Sequence, residues 1–219
     1  DFCVLNYDDE ITRGIGERIA ATVGYFSVNT ILKEGCFLRG DEIVFAANGE
    51  ERVLMKVSDM KLLGIHNVQN VMAGILVCYF YGIPLENIVE SVKTFQAVEH
   101  RIEYVCTVAG VDYYNDSKGT NPDAAIKGIQ AMNRPTVLIG GGYDKDSEYE
   151  EWIESFDGKV KYFVLLGQTR EKIAEAARRL GFENIIMTDS LEEAVATCAK
   201  LAEPGDAVLL SPACASWGM

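Results

Sequence analysis

The segment from Asn115 to Pro122, with the sequence N-D-S-K-G-T-N-P, has the residue types and spacing of a ligand-binding loop. It follows a β-rich run, and Asn121 before Pro122 is a favourable cap and first residue for a helix. Helix starts attract anions through free backbone N–H groups, and Lys118 adds a positive charge there. Asp116, at the end of the strand, could hold a sugar hydroxyl. A ligand loop and a merely capped turn with a solvated lysine fit the spacing equally well.

Two earlier segments contain polar side chains suited to a nucleotide. Asn67 and Asn70 are three residues apart and share a helix face, and side-chain amides can bond an adenine edge at two points. His66 and Asn67 could instead simply cap the apolar helix that follows. Arg101 has the planar guanidinium that suits phosphate, although an arginine in a linker is usually solvated.

Two later segments follow predicted strands and consist mainly of small residues. Gly140 to Lys145, G-G-G-Y-D-K, matches neither G-x-G-x-x-G nor the G-x-x-x-x-G-K-[ST] phosphate loop. Its glycines would let a ligand approach the backbone, but a turn of this kind also exists without a ligand. Ser211 to Trp217 contains Cys214, and no histidine lies nearby in the sequence to activate that thiol. We expect this last segment to close over a ligand rather than to supply a nucleophile.

The elements that must position these segments fall into two parts. Residues 1–97 mix strands and helices, with a hairpin predicted at Asn48-Gly49 and helices at Ile11 to Ala21 and His66 to Tyr81. Residues 98–219 begin with a second hairpin and then alternate strands with helices, which predicts an α/β unit with a mainly parallel sheet.

Charge and composition limit the partners. The 219 residues have a net charge of −13, which repels nucleic acid and anionic membranes, so we expect neither as a partner. The longest apolar stretch, Val71 to Ile83, falls short of the ~20 residues that span a bilayer. Six cysteines without a C-x-x-C pair indicate no metal site and a reducing cytosol.

Taken together, the runs G-I-H-N-V-Q-N, E-H-R-I-E, N-D-S-K-G-T-N-P-D-A-A, G-G-Y-D-K and S-P-A-C-A-S-W resemble those of the Mur ligases that add D-glutamate. The resemblance covers essentially the whole chain. It implies that residues 1–97 form the later part of a central ATP-binding domain. Residues 98–219 would then form a Rossmann-like C-terminal domain that receives the amino acid.

The activity implied by this resemblance is an ATP-dependent, cytoplasmic ligase reaction. D-Glutamate would be joined to UDP-N-acetylmuramoyl-L-alanine through an acyl phosphate, with ATP and Mg²⁺. The phosphate loop and the magnesium ligands of such enzymes are expected upstream of Asp1. We therefore expect the chain to be a fragment that is inactive by itself.

The resemblance also implies roles for individual residues. One group is assigned to ATP and its phosphates: Asn67, Asn70, Arg101, Asp116 and Lys118. Another group is assigned to D-glutamate: Thr120, Lys145 and Ser216. Within the first group, Asn70 is expected at adenine with Asn67 and His66 in support, Asp116 at the ribose, and Lys118 beside the reacting phosphoryl group as the catalytic residue.

Two other functions share some of these features. A folylpolyglutamate-synthase-like ligase has the same architecture and also adds glutamate, but it would differ at N-D-S-K-G-T-N and S-P-A-C-A-S. A non-catalytic nucleotide-binding module would need only the alternating α/β part. Arg101 and the upstream G-I-H-N-V-Q-N argue against that module.

Overall fold

The structure is a computed structural model that describes residues 1–216. Two compact units divide the chain, Asp1–Gln96 and Ala97–Met219. Both units combine strands with helices, which confirms the predicted α/β class. Within the described residues, no helix has both the length and the apolar character needed to cross a membrane.

The first unit is built on a five-stranded sheet with the order β1-β2-β3-β4-β5. Its strands are β1 (Phe2–Asn6), β2 (Thr22–Ser27), β3 (Gly35–Arg39), β4 (Glu42–Ala47) and β5 (Glu50–Lys56). Its helices are α1 (Glu10–Gly16), α2 (Ile65–Phe80) and α3 (Leu85–Thr94), with a short 3-10 turn at Val57–Asp59. The first two strand pairs are parallel and the last two antiparallel. The β4–β5 hairpin turns at Asn48 and Gly49, both with positive φ, as predicted.

Helix α2 covers this sheet with an apolar face whose spacing is helical. The buried side chains on that face are Val68, Val71, Met72, Ile75 and Leu76. They pack in one cluster with Ile43 and Phe45 of β4. Burial of side chains of this size contributes about 1.5–3 kcal/mol each, so this face fixes the helix on the sheet.

Two elements of the first unit differ from the sequence-based expectation. Strand β3 has no clear signal in the sequence, because its five residues stand between turn residues without a long alternating pattern. Helix α1 begins where Asp9 accepts a hydrogen bond from Thr12 N, and it ends at Gly16 instead of continuing to Ala21. A Cβ on Gly16 would lie 2.0 Å from the Tyr25 hydroxyl, and glycine favours the helical state poorly.

The second unit contains a six-stranded sheet with the order β10-β9-β8-β11-β7-β6. Its strands are β6 (Glu103–Val108), β7 (Val111–Asn115), β8 (Thr136–Gly140), β9 (Val160–Leu165), β10 (Ile185–Met187) and β11 (Ala207–Leu210). Its helices are α4 (Pro122–Ala131), α5 (Glu150–Glu154), α6 (Arg170–Arg179) and α7 (Leu191–Leu201). Every neighbouring pair is parallel except β6–β7, so the prediction of a mainly parallel sheet is confirmed.

The position of β11 determines which loops become neighbours. This last strand pairs with β7 on one side and β8 on the other, both in parallel. Parallel strands end at the same edge of a sheet, so the segments that follow β7, β8 and β11 emerge side by side. Such a reversal of strand order is where open α/β sheets bind their ligands.

Candidate functional site

Three loops meet at the carboxyl edge of the second sheet. We call them the β7 loop (residues 116–121), the β8 loop (residues 141–149) and the β11 loop (residues 211–216). Each contains one of the segments singled out in the sequence. The end of the last segment, Trp217, lies outside the described residues.

Backbone hydrogen bonds tie these loops to each other. Tyr143 N in the β8 loop donates to Ala215 O in the β11 loop at 2.8 Å. Ala213 N in the β11 loop donates to Gly119 O in the β7 loop, also at 2.8 Å. The β11 loop therefore joins the other two, which places three distant parts of the sequence in one surface.

A cleft of about 810 Å³ opens beside this surface. Ser117, Tyr143 and Ser216 line the side formed by the three loops. Gln168 and Ser190, which follow β9 and β10, line the other side. The cleft has the size and position of a small-molecule site in an α/β protein, for which about 300–1,000 Å³ is typical.

The residues expected at D-glutamate are distributed one to each loop. Thr120 is half-buried in the β7 loop, and its backbone N–H donates to Lys118 O at 2.9 Å. Lys145 is exposed in the β8 loop, and Ser216 is exposed in the β11 loop, where it lines the cleft. The structure thus brings together the loops of all three residues. Their contact with an amino acid stays a prediction.

The start of α4 is a weaker anion site than the sequence indicated. Asn121 accepts the N–H of Ala124 at 2.8 Å, and Pro122 has no N–H to offer. Asp123 adds a negative charge in the first turn. Because these features reduce the attraction of the helix start for anions, the exposed Lys118 is the group in this loop that can neutralise a phosphate.

Asp116 is buried, and both of its carboxylate oxygens accept protein hydrogen bonds. Oδ2 accepts from Ser211 Oγ at 2.7 Å, and Oδ1 accepts from Ile102 N at 3.2 Å. Burial raises the pKa of this carboxyl above its ordinary value, while the two donors and the charge of Arg101 act in the opposite direction. The expected contact with ribose stays a prediction, and it would have to be made alongside these internal bonds.

Arg101 has an exposed side chain between two residues of unusual backbone conformation. His100 and Ile102 have φ values of 68° and 48°, in the left-handed region. A β-branched residue such as isoleucine rarely adopts this conformation. Asn115 Nδ2 lies 3.0 Å from His100 Nδ1, which attaches the segment to the end of β7.

Cys214 is a buried thiol within a polar network. Its Sγ lies 3.3 Å from Thr169 Oγ1 and 3.3 Å from Tyr149 Oη. Burial raises its pKa, whereas a nucleophilic cysteine needs a lowered one and an accessible thiolate. Thr169 also accepts the N–H of Gly142 at 3.0 Å, so the network links the β8 and β11 loops. The sequence contained no local signal for Thr169 or Tyr149, because their partners are distant in the chain.

The glycines of the β8 loop are required by protein packing. Gly141 has a φ of +100°, and a Cβ there would lie 2.1 Å from Leu166 O. A Cβ on Gly142 would lie 2.5 Å from Ala215 O. These contacts explain why glycine is needed at both positions even when no ligand is bound. They favour a turn required by packing over a turn required by a ligand, the two interpretations that the sequence left open.

In the first unit, the two expected adenine residues lie on α2. Asn67 Nδ2 donates to Leu63 O at 2.7 Å, which stabilises the turn before the helix. The N-cap position is occupied by Gly64, which has no side chain to cap the helix. Asn70 is exposed and lies about one turn further along α2, where its amide is accessible. A contact of either residue with adenine stays a prediction.

Magnesium prefers oxygen ligands and is usually held by one or two carboxylates together with waters and substrate phosphates. Across residues 1–216, no three acidic, histidine or cysteine side chains are placed to hold a metal ion.

Comparison with known proteins identifies related sequences. The family model described as "Mur ligase, glutamate ligase domain" matches residues 100–214. The UDP-N-acetylmuramoylalanine–D-glutamate ligase of Lachnoclostridium phytofermentans is 54% identical over the whole chain, which corresponds to 48% of that protein. The chain spans about half the length of the curated relatives it matches.

Solved structures share the fold at lower identity. The UDP-N-acetylmuramate–alanine ligase MurC of Thermotoga maritima has a TM-score of 0.67 at 18% identity, over 97% of this chain and 48% of that one. The MurF ligase of Thermotoga maritima in complex with ADP has a TM-score of 0.62 at 16% identity, over 95% of this chain and 49% of that one. These identities support a common fold.

Proposed function

This chain belongs to the Mur ligase family, and we propose that it supplies ATP-binding and amino-acid-binding residues to a D-glutamate ligase. The full-length protein would join D-glutamate to UDP-N-acetylmuramoyl-L-alanine, a step in the cytoplasmic synthesis of peptidoglycan precursors. The activity is proposed for the full-length protein because the chain corresponds to about half of its relatives.

The observation that supports this proposal most strongly is the junction of the three loops. The segments N-D-S-K-G-T-N, G-G-Y-D-K and S-P-A-C-A-S resemble those of one family in sequence. They lie side by side at the carboxyl edge of one sheet, next to a cleft of suitable size. The 54% identical relative bears the name of a D-glutamate ligase, which supports the same substrate here.

In this proposal, D-glutamate binds at the three loops. The ammonium of Lys145 pairs with one carboxylate of the amino acid. Because the chain has a net charge of −13 and would otherwise repel a dicarboxylate, a local positive charge is needed at this position. Thr120 and Ser216 donate hydrogen bonds from their hydroxyls. Together these groups orient the amine of D-glutamate toward the activated carboxyl group of the acceptor.

The proposal assigns ATP contacts to residues of each unit, and each assignment concerns that unit alone. In the first unit, the exposed amide of Asn70 bonds the adenine edge, with Asn67 and His66 in support. In the second unit, Arg101 contacts ATP, Asp116 contacts the ribose, and Lys118 neutralises charge on the transferred phosphoryl group. The complex of a MurF ligase with ADP supports a nucleotide in proteins of this fold.

The chemistry implied by the family has two stages. The carboxylate of UDP-N-acetylmuramoyl-L-alanine takes the γ-phosphoryl group of ATP, which gives an acyl phosphate and ADP. The amine of D-glutamate then attacks the acyl carbon, an amide forms and inorganic phosphate leaves. Magnesium would supply further charge neutralisation at the phosphates.

The proposal is tested by phosphate release from the full-length protein. With ATP, magnesium, UDP-N-acetylmuramoyl-L-alanine and D-glutamate present, phosphate should appear in equal amount to the amide product. Omission of any one component, or replacement of D-glutamate by L-glutamate, should abolish product formation. Amide formation that proceeds without ATP would refute the proposed reaction.

A further inference from the structure

We propose that Ser211 is a positioning residue for Arg101 and acts through the carboxylate of Asp116. Ser211 has no role in the proposed function above. The inference rests on that function for the statement that Arg101 contacts ATP. Because the same function places Asp116 at the ribose, exchange at the Ile102 amide is needed beside KM for ATP to report the route through the Arg101 segment. The chain of contacts from Ser211 to the Arg101 segment is a property of the second unit alone.

The segment that includes Arg101 is strained and must be held by its surroundings. Ile102 and His100, on either side of Arg101, have φ values of 48° and 68°. Non-glycine residues in this region persist only where neighbouring contacts determine the backbone, and such residues concentrate at functional sites. The strained turn therefore requires a specific set of contacts.

Those contacts come mainly from the end of β7. Asp116 Oδ1 accepts the N–H of Ile102 at 3.2 Å, so the carboxylate bonds directly to a strained residue. Lys118 N donates to His100 O at 3.0 Å on the other side of Arg101. The side chain of Ile102 is buried, whereas the guanidinium of Arg101 remains exposed. The turn is thus fixed at both ends while its arginine faces solvent.

Ser211 fixes the carboxylate that holds the turn. It is completely buried, and its Oγ donates to Asp116 Oδ2 at 2.7 Å. Its own backbone N–H donates to Ile139 O at 3.1 Å, so the hydroxyl is anchored to the sheet. Ser211 is therefore a rigid donor rather than a mobile surface hydroxyl.

Two glycines pack closely against the Asp116–Ser211 pair. A Cβ on Gly119 would lie 2.6 Å from Asp116 Oδ2, and one on Gly128 would lie 2.9 Å from the same atom. The same added atoms would lie 3.0 Å from Ser211 Oγ. A side chain at either glycine would therefore displace the carboxylate or the serine hydroxyl, so the bond between them depends on this close packing.

Loss of the Ser211 hydroxyl should therefore change the conformation of the backbone that carries Arg101. A buried carboxylate oxygen without its donor is costly, and the carboxylate can relieve that cost by rotation or protonation. Either change weakens the bond to Ile102 N and lets the strained turn relax. A guanidinium on a relaxed turn is less well preorganised for ATP, so ATP binding should weaken while D-glutamate binding should not.

The experiment compares Ser211→Ala and Ser211→Cys with Thr136→Val in the full-length protein. Thr136 is a matched control because it is also completely buried and its Oγ1 donates a hydrogen bond, to Arg134 O at 3.0 Å. It lies at the start of β8, on the opposite edge of the sheet from the three loops. Cysteine at position 211 has the same branching as serine, although its sulfur is larger, and it provides a weaker donor.

Two readouts are measured on each variant. Hydrogen exchange followed by mass spectrometry reports the Ile102 amide, and steady-state kinetics reports KM for ATP and for D-glutamate. In Ser211→Ala we expect about tenfold faster exchange at Ile102 and about a tenfold higher KM for ATP, since a buried unsatisfied group costs roughly one such factor. KM for D-glutamate should stay unchanged, Ser211→Cys should be intermediate, and Thr136→Val should match wild type.

Each outcome decides the inference. Exchange at Ile102 and KM for ATP that match Thr136→Val overturn the proposal. Faster exchange with an unchanged KM for ATP shows a structural bond without a positioning role, which also overturns it. If the wild-type protein proves to have no ATP-dependent activity, the proposed function fails. Unchanged exchange at Ile102 would still overturn the Ser211 link independently. Should Ser211→Ala fail to fold, Ser211→Cys gives the same comparison.

Discussion

At the scale of single residues, the proposed reaction depends on a few cations in a strongly acidic chain. Lys145, Lys118 and Arg101 are all exposed, and each lies beside a structured loop end in the second unit. Their positions beside the loops at the carboxyl edge of the sheet, and not their charge alone, distinguish these three residues from other exposed lysines and arginines. Substitutions that alter one property at a time can therefore separate their roles.

Lys145→Ala should reduce the use of D-glutamate and leave the ATP dependence nearly unchanged. A hydrogen bond with a charged group contributes roughly 1.5–3 kcal/mol, which corresponds to about one to two orders of magnitude. Initial rates of the full-length protein against each substrate test this. Lys200→Ala, at the far end of α7 from the cleft, is the control. Equal KM values for D-glutamate in both variants would make Lys145 an ordinary surface lysine.

Arg101→Ala should weaken ATP use more than Arg101→Lys does. Lysine keeps the charge but loses the planar fork that pairs two phosphate oxygens, so a partial loss is expected for it. Steady-state kinetics with varied ATP measures both variants. Values near wild type in both would remove Arg101 from the ATP site.

Asp116 should make stability depend on pH in a defined direction. Its pKa in the folded protein is raised above 3.8, chiefly by burial, so the folded state binds its proton more tightly than the unfolded chain does. The stability that Asp116 contributes is therefore greatest at low pH and falls as pH rises from about 3.8 through the raised value. Urea unfolding of wild type and Asp116→Asn across this range should show wild type losing stability relative to the variant. A parallel pH dependence of the two proteins would contradict the assignment.

At the scale of elements, the β8 loop shows that protein packing, and not contact with a ligand, can require glycine at a position. Gly141→Ala should destabilise the protein by about 3–4 kcal/mol, because positive φ and a clash with Leu166 O combine. Gly158→Ala is the matched control: its φ is +72°, and nothing lies within 4 Å of the added Cβ. It should lose only about 1–2 kcal/mol. Urea unfolding measures both, and similar losses would show that the close approach is unimportant.

The elements differ in how far the sequence predicts them. Asn48-Gly49 specifies its hairpin locally, because asparagine and glycine both adopt the positive φ needed at that turn. In the second hairpin Gly110 does so, whereas Ala109 adopts a positive φ against its own preference. Strand β3 has no such local signal and exists because β2 and β4 pair with it on either side.

The candidate site shows the same division between local and distant determinants. Its loops could be chosen from the sequence because each follows a predicted strand. The Ser211–Asp116 bond joins residues 95 positions apart, and only the insertion of β11 beside β7 brings them together. The roles of Thr169 and Tyr149 depend on equally distant contacts.

At the scale of the whole molecule, membership of the Mur ligase family does not identify the amino acid that is added. The proposal that this amino acid is D-glutamate is therefore the central claim. The structural neighbours share the fold, yet their names describe other substrates, such as alanine and 2,6-diaminopimelate. The fold alone therefore does not select the amino acid, and we propose that the three loops at the cleft do so.

The most direct measurement offers the full-length protein several amino acids at once. ATP, magnesium and UDP-N-acetylmuramoyl-L-alanine are mixed with equal concentrations of D-glutamate, L-glutamate, L-alanine and 2,6-diaminopimelate, with D-glutamate isotopically labelled. Mass spectrometry of the product should show a single new species with the mass of the labelled D-glutamyl amide. A product that contains any of the other amino acids in place of D-glutamate, or no amide product at all, would contradict the account.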